Sequence, residues 1–487
     1  MIDPILFWNE VALEANRVSH TKEGKREQNG PTLSSRALAI VHLAMYDAYA
    51  GVVKDPINLP LYLTELPEPA TGASADAAVA AAAYTTLSSL YPSQKTFFGF
   101  MLSFFNSVLL GVDVDKNSQV GRNFGLIVAQ QILADRANDP NADASGYQPS
   151  LARGKHRLDP NNPGQGFDAP FYGARSKGFA ITARHELNAP PWDDAEYLKA
   201  LKQVRVKGIA PELMGTLPEN IDDDKRDPEE TLIGLFWAYD GAIGLGTPPR
   251  LYNQIVRRVA IAKGNTVAQN ARLFALVNVA MGDAGILAWD QKYLYELWRP
   301  VVGIREDDLS IGPAATHPNN IISDCGDPGW LPLGAPRTNS MSRDFSMRKN
   351  FTPNFPAYPS GHATFGAAAL HITRLFYGIS AGDSNPDQLF CNLDFVSEEL
   401  NGINKDNQGT IRPRHLRDFP NGLWQMIIEN GLSRVFLGVH WVFDAFAVTD
   451  NNEPDLSRNI GGVPLGLTIA EDIFCNRMQK SNVGPRT

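Results

Sequence analysis

Apolar positions recur at helical spacing through most of the chain, and the segments they mark are separated by stretches dense in Gly, Pro, Asn and Asp. Ile5 to Val18 carries Asn9, Glu10, Glu14, Asn16 and Arg17 among its apolar residues, which predicts an amphipathic helix and not a signal peptide. Further helices are predicted from Ser34 to Ala50, from Ser74 to Leu90 ahead of Pro92, and over 93–110 and 115–137. Trp192 to Lys207, Asp227 to Ala242 and a segment from Thr247-Pro248-Pro249 to Ala262 follow. Thr266 to Trp298 reads as a longer helix, with Gly282 and Gly285 as candidate break points and Arg299-Pro300 as its stop. Its apolar centre, Leu273 to Trp289, includes Asn278 and Asp283 and is short for a bilayer, so it predicts a buried helix and no membrane span. The last helices are expected over Ala363 to Leu375, Asn421 to Leu437, His440 to Ala447 and Leu465 to Met478.

Two long stretches lack periodicity. Asn138 to Phe179 reads as a surface excursion and a candidate wall of a substrate entrance, and Val301 to Pro359 as an irregular connection. Strand-like alternation is scarce, so the fold class is all-α, built from helix bundles. The expected division is an N-terminal helical region, 1–225, and a C-terminal one, 226–487, that carries the candidate chemistry.

Charge narrows the partners. The 487 residues hold 44 basic and 53 acidic side chains, a formal net charge of -9, so no global field favours nucleic acid or an anionic membrane. Any cationic site must be local. The three cysteines, Cys325, Cys391 and Cys475, are far apart and show neither metal-ligand spacing nor a disulfide framework.

The candidate chemistry centres on Phe355-Pro356-Ala357-Tyr358-Pro359-Ser360-Gly361-His362. Small residues opening a helix leave backbone N–H groups facing outward at the positive end of the dipole, where an anion binds well. His362 in the first turn is then close enough to exchange a proton with that anion. Alone, the stretch reads more simply as a Ser N-cap followed by an exposed His. Lys292 and Arg299 lie seven residues apart, nearly two helical turns, so both are expected on one helix face among Trp289, Tyr293 and Trp298. The plain alternative is two solvated charges pairing Glu296. Arg434 and His440 are six apart, and Gly438 between them offers a break that brings both to one pocket. Asp444 can accept a hydrogen bond from the distal imidazole N–H of His440, fixing its tautomer and raising its basicity. His42, by contrast, reads as a satisfied core or surface histidine. Three cations, a helix N-terminus, a proton-donating His and a His with an orienting Asp together suit a tetrahedral oxyanion.

The ordered set Lys-x6-Arg-Pro, Pro-Ser-Gly-His and Ser-Arg-x5-His-x3-Asp resembles the signature of the type 2 phosphatidic acid phosphatase and vanadium haloperoxidase superfamily. Most of the chain is similar to its soluble vanadium chloroperoxidase branch, through Ile5-Leu6-Phe7-Trp8-Asn9, Ser35-Arg36-Ala37-Leu38 and Phe236-Trp237-Ala238-Tyr239-Asp240-Gly241. The resemblance implies two four-helix bundles, vanadate as cofactor and His440 as its axial ligand. It implies that Lys292, Arg299, Arg434, Ser360 and the Gly361 N–H bind the oxygens, and that His362 is the acid–base residue. Asp240 is implied as a partner for one arginine, and Phe355 with Trp289 as an aromatic pair at the halide site. Hydrogen peroxide, chloride or bromide, and small organic halogen acceptors are the implied partners, with Lys292 polarising the oxidant. An acid phosphatase using His440 as nucleophile is the alternative, since the two share the motif. The resemblance leaves location open, because relatives without an obvious signal are found outside the cell.

Overall fold

The computed structural model describes residues 3–21, 23–109, 116–217, 225–318, 325–340 and 350–486. Helix α1 (Pro4–Ser19) starts where the Asp3 carboxylate accepts hydrogen bonds from the Ile5 and Leu6 amides. Helix α2 (Gly30–Val53) is buried along most of its length. Helix α3 (Ala75–Leu90) begins at a Ser74 cap, as the sequence predicts. Its alanines allow α5 (Lys116–Asp135) to lie close: a Cβ at Gly121 or Gly125 would sit 2.2 Å from the Ser74 carbonyl oxygen or 2.1 Å from that of Ala78. Helix α4 (Lys95–Phe104) joins the two, and the expected boundaries at Leu110 and Asp115 lie outside the described residues.

The excursion after α5 contains only the four-residue α6 (Tyr172–Arg175). Helices α7 (Ala195–Lys207), α8 (Pro228–Phe236) and α9 (Pro248–Ala262) lead to α10 (Val267–Tyr295), and α11 (Pro300–Gly303) follows it. After the long connection come α12 (Gly361–Phe376), α13 (Gly422–Phe436) and α14 (Gly462–Cys475). A single short ladder, β1 (Ala447–Val448) antiparallel to β2 (Pro454–Asp455), is the only sheet among the described residues. The fold is all-α, built from helical bundles.

Helices α1, α2, α3 and α5 pack as one bundle, and α10, α12, α13 and α14 as another, with α10 touching α2 on one side and α12 on the other. One apolar core therefore runs through both. Helix α10 is long and apolar enough to cross a membrane by composition, but 94% of its apolar window is buried within the protein, which makes it a core helix.

Four expectations are corrected. Gly282 and Gly285 do not break α10; a Cβ there would lie 3.0 Å from the Phe179 ring or 2.9 Å from the Ser35 hydroxyl, so they admit neighbours. The helix ends at Tyr295, not Trp298, because Glu296 turns left-handed (φ 52°) and the next residues run alongside residues 154–156. Helix α8 stops at Phe236, and the chain then turns through Tyr239 (φ 44°) and Gly241 (φ 70°). Residues from His440 to Ala447 form a short tight turn over Val442–Asp444 and then enter β1, because the Asp444 carboxylate accepts the Trp441 N–H.

Candidate active site

The positive end of α12, the turn after α13 and the loop after α8 converge on a narrow cavity of about 40 Å³. Ser360 caps α12: its hydroxyl accepts the Ala363 N–H at 3.4 Å, and its own amide donates to the Asp444 carbonyl at 2.8 Å. The Gly361 and His362 amides are first-turn donors without an intrahelical acceptor, and both residues line the cavity. Glycine at 361 lets the Trp289 ring approach closely, since a Cβ would stand 3.2 Å from it.

His362 is buried, and its Nε2–H donates to the Ala238 carbonyl at 2.6 Å. Burial and the neighbouring Arg434 push its pKa down to about 3, and the Asp240 carboxylate at 4.0 Å opposes them. The His362 carbonyl is held by the Tyr252 hydroxyl at 3.1 Å and the Asn430 amide at 2.7 Å.

His440 faces it from the turn after α13. Gly438 (φ 69°) supplies the break that the sequence predicts. The Nδ1–H donates to Asp444 at 2.7 Å, which leaves Nε2 as the acceptor; Arg299 Nη1 donates to it at 2.8 Å. Burial, then Arg299 and Lys292, hold the imidazole well below the usual histidine range. Asp444 is pushed up to about 7 by burial, against the pull of Lys292 and Arg299.

The cations reach the site by different routes. Arg299 sits beyond the end of α10, so it does not share a helical face with Lys292 as the spacing suggests. Its guanidinium donates to the Phe355 and Val439 carbonyls, each at 2.8 Å, while Nη2 has no partner. Burial pushes Arg299 down to about 9. Arg434 forks onto Asp240 at 2.7 and 3.0 Å, which pairs that carboxylate with an arginine as expected, and its Nε is unpartnered. Lys292 is fully buried and spends its donors on the carbonyls of Pro356 (2.9 Å), Ala357 (3.0 Å) and Pro359 (2.5 Å). Burial, then Arg299, holds its pKa well below the ordinary lysine value. Its charge lies 5.3 Å from the Phe355 ring, directly behind the cavity wall. Phe355 and Trp289 meet at 4.9 Å between ring centres and form the apolar side.

The sequence reading missed Gln165 and Phe167, which the excursion brings to the cavity wall, and the Ala238 carbonyl, Tyr252 and Asn430, which orient His362. No spacing signal marks them. It also missed His156, buried near Arg299 and Lys292 and beside the Asn354 backbone.

Buried donors without partners are rare in native structures and call for a ligand or water. Here Arg299 Nη2 and Arg434 Nε have no partner among the described residues, the first residues of α12 line the same cavity as His440, and His440 Nε2 holds only the Arg299 Nη1 hydrogen bond. That donor set fits an oxyanion whose central atom accepts an imidazole ligand, and it offers nothing soft for a thiophilic metal.

Known proteins resemble this chain along most of its length. Residues 2–178 match the vanadium chloroperoxidase N-terminal domain, and residues 272–454 match the VCPO second helical-bundle domain. The vanadium chloroperoxidase of Curvularia inaequalis is 37% identical over an alignment that covers 98% of this chain and 90% of the relative. Among solved structures, a bacterial vanadium-dependent iodoperoxidase superposes with a TM-score of 0.64 at 19% identity, covering 96% of each chain. An apo-type bacterial vanadium-dependent chloroperoxidase gives 0.60 at 15% identity, over 92% of this chain and 94% of that one. At such identities these structures speak for the fold alone. Family match and curated relative together are decisive: the chain belongs to the vanadium chloroperoxidase family.

Proposed function

We propose that this chain is a vanadate-dependent haloperoxidase that oxidises chloride as well as bromide with hydrogen peroxide to hypohalous acid. The observation that carries the reading is His440 Nε2, left as the acceptor by the Nδ1–H bond to Asp444, with Arg299 Nη2 and Arg434 Nε unpartnered among the described residues. Bound there, vanadate supplies a Lewis acid that activates peroxide without changing its own oxidation state.

The side chains do the rest. His440 is the protein ligand, and Asp444 keeps its proton on Nδ1 so that Nε2 stays free to coordinate. Arg299 must let go of Nε2 as the oxyanion enters, and its unpartnered Nη2 is already available. Arg434, Ser360 and the Gly361 N–H supply further hydrogen bonds, which offset the desolvation of a buried anion. Lys292 holds the Pro356–Pro359 turn and adds positive charge behind it. His362 is neutral in the unloaded site; an anion beside it raises its pKa, so it can take a proton from peroxide and return it. The Trp289–Phe355 wall excludes water and helps desolvate the halide.

Halogenation of an activated diketone tests the reading. The expected result is turnover with chloride and with bromide only after vanadate is added. Fast aryl phosphate hydrolysis without vanadate, together with no halogenation when it is loaded, would sink it. Turnover with bromide alone would remove the chloride assignment and leave the haloperoxidase.

A further inference from the structure

The cavity beside His362 and His440 is too small for an organic molecule. Its volume is about 40 Å³, whereas a cavity that holds benzene measures about 150 Å³. Peroxide and halide fit, and the halogen acceptor does not. Directly outside lies a second hollow of about 280 Å³, which is large enough for a substituted ring.

The two hollows share a wall that includes Phe167, Gln165, Gly241 and Phe351. Phe167 is the partition. Its backbone is left-handed (φ 67°), uncommon for a bulky residue, and two glycines with positive φ make its seat. A Cβ at Gly30 (φ 78°) would lie 2.8 Å from the Phe167 ring, and one at Gly241 (φ 70°) 3.5 Å from it.

The outer hollow is cationic and aromatic. Arg337 lies 5.0 Å over the face of Phe351 and donates to the Asn162 amide oxygen, and Arg26 is exposed with no carboxylate partner among the described residues. The one carboxylate among the described residues of the lining, Asp240, is already committed to Arg434 by two hydrogen bonds. His20, also in the lining, is pushed down to about 4 by burial and adds no charge near neutral pH.

We propose that this outer hollow binds the organic halogen acceptor and selects planar anions, an aromatic ring carrying a carboxylate or phenolate. The ring lies against Phe351 and Phe167 and its charge meets Arg26 and Arg337. Hypohalous acid formed within crosses past Phe167 to reach it. The carbon–halogen bond forms as the halogen–oxygen bond breaks, and the ring proton leaves with the hydroxide as water. The inference rests on the haloperoxidase reading.

Salicylate serves as the anionic probe and 1,3,5-trimethoxybenzene as the neutral one. Salicylate should bind the vanadate-free protein at a single saturable site in equilibrium dialysis, and Arg26→Ala should weaken it roughly three- to fivefold, the effect of an exposed ion pair. In the loaded enzyme the same variant should raise the KM for salicylate bromination by that factor. Its kcat, the KM for trimethoxybenzene and the rate of tribromide formation without any acceptor should not change. Phe167→Ala, which merges the hollows, should lose the preference for the anionic ring over the neutral one. Bromination that never saturates in salicylate, or saturates equally in Arg26→Ala, would overturn the acceptor site while tribromide formation upholds the haloperoxidase. Absence of tribromide from the vanadate-loaded wild type would overturn the haloperoxidase reading itself.

Discussion

Two buried polar clusters, one between the bundles and one at the candidate site, are built from similar side chains and behave differently. In the first, Asn9, His42, Asn253 and Asn278 from α1, α2, α9 and α10 are almost wholly inaccessible. His42 Nδ1–H donates to the Leu38 carbonyl at 2.7 Å and Nε2 accepts from Asn9 at 2.9 Å. Asn253 and Asn278 exchange hydrogen bonds at 2.9 and 3.1 Å, and Arg257 closes the remaining oxygen of Asn9 at 2.9 Å. That network is complete. In the second, Arg299 Nη2, Arg434 Nε and Asp444 Oδ1 have no partners among the described residues, in an equally buried place. A satisfied network fixes helices against each other; an unsatisfied one stores unused hydrogen-bonding capacity for a ligand. The same residue type, histidine, is structural in one and a candidate ligand in the other.

The sharpest way to break this contrast is to remove a histidine from the incomplete cluster. His440→Ala should lower kcat/KM for halide oxidation by about 10³-fold or more, several kcal/mol of lost Lewis-acid chemistry. The vanadate-free protein should also lose some stability, because Asp444 loses the Nδ1–H donor and Arg299 Nη1 its acceptor in a buried place, but the folded fraction should be inactive. A large drop in stability with activity retained in the folded fraction would show His440 to be structural. The complementary change is Asn278→Ala. It removes two of the hydrogen bonds of the Asn253 side chain, which keeps only those with Asn9 and the Pro249 carbonyl, and should cost about 1–3 kcal/mol in denaturant unfolding, with normal turnover per folded molecule. Parallel loss of turnover would tie the two clusters together.

Much of this was readable from the chain itself, for local reasons. The starts of α3, α9 and α12 follow from Ser74, Thr247-Pro248 and Ser360, where cap and helix-opening chemistry is a matter of a few neighbouring residues. The ends that were misread depend on distant partners. Tyr293 to Trp298 continues the apolar spacing of α10, and only the pairing of Trp298 and His156 amides across residues 154–156 and 296 shows why the helix stops. The segment after His440 looks helical until Asp444 turns back onto Trp441. The ordered motifs point to Gly361, His362, Arg434 and His440, which the structure brings to one cavity, and Asp240 stands beside Arg434. Phe167 and Gln165 were not readable, because a non-periodic excursion carries them to residues far away in sequence.

Anion binding to the vanadate-free protein offers a gentler comparison. Phosphate at about ten times its dissociation constant should stabilise the fold by about 1.4 kcal/mol, and His440→Ala should reduce that gain while Asn278→Ala should not. The pH dependence has a defined sign. His362 is held down to about 3 in the free site, and an anion raises its pKa. Binding therefore takes up a proton: the extra affinity is complete below the free value and disappears as pH rises through the anion-bound one. Affinity that strengthens with rising pH would rule out His362 as the coupled group.

The smallest effect separates the two roles of Asp240. Its carboxylate forks Arg434 and stands 4.0 Å from His362 Nε2, where it is the nearby charge that raises the imidazole pKa. In Asp240→Asn that support is lost, and Arg434, no longer neutralised, pushes His362 further down. The pH midpoint of anion affinity should then move to lower pH, by about half a unit given the screening at a cavity mouth. Removal of a negative charge beside the site should meanwhile tighten anion binding at pH values above that midpoint, where His362 is neutral in both proteins. Titration calorimetry with phosphate across pH reads both quantities, and they must move in opposite senses: a lower midpoint with a higher plateau. If instead affinity falls at every pH with the midpoint unmoved, Asp240 acts only by aiming Arg434, and the incomplete cluster depends on that fork for its shape more than for its charge.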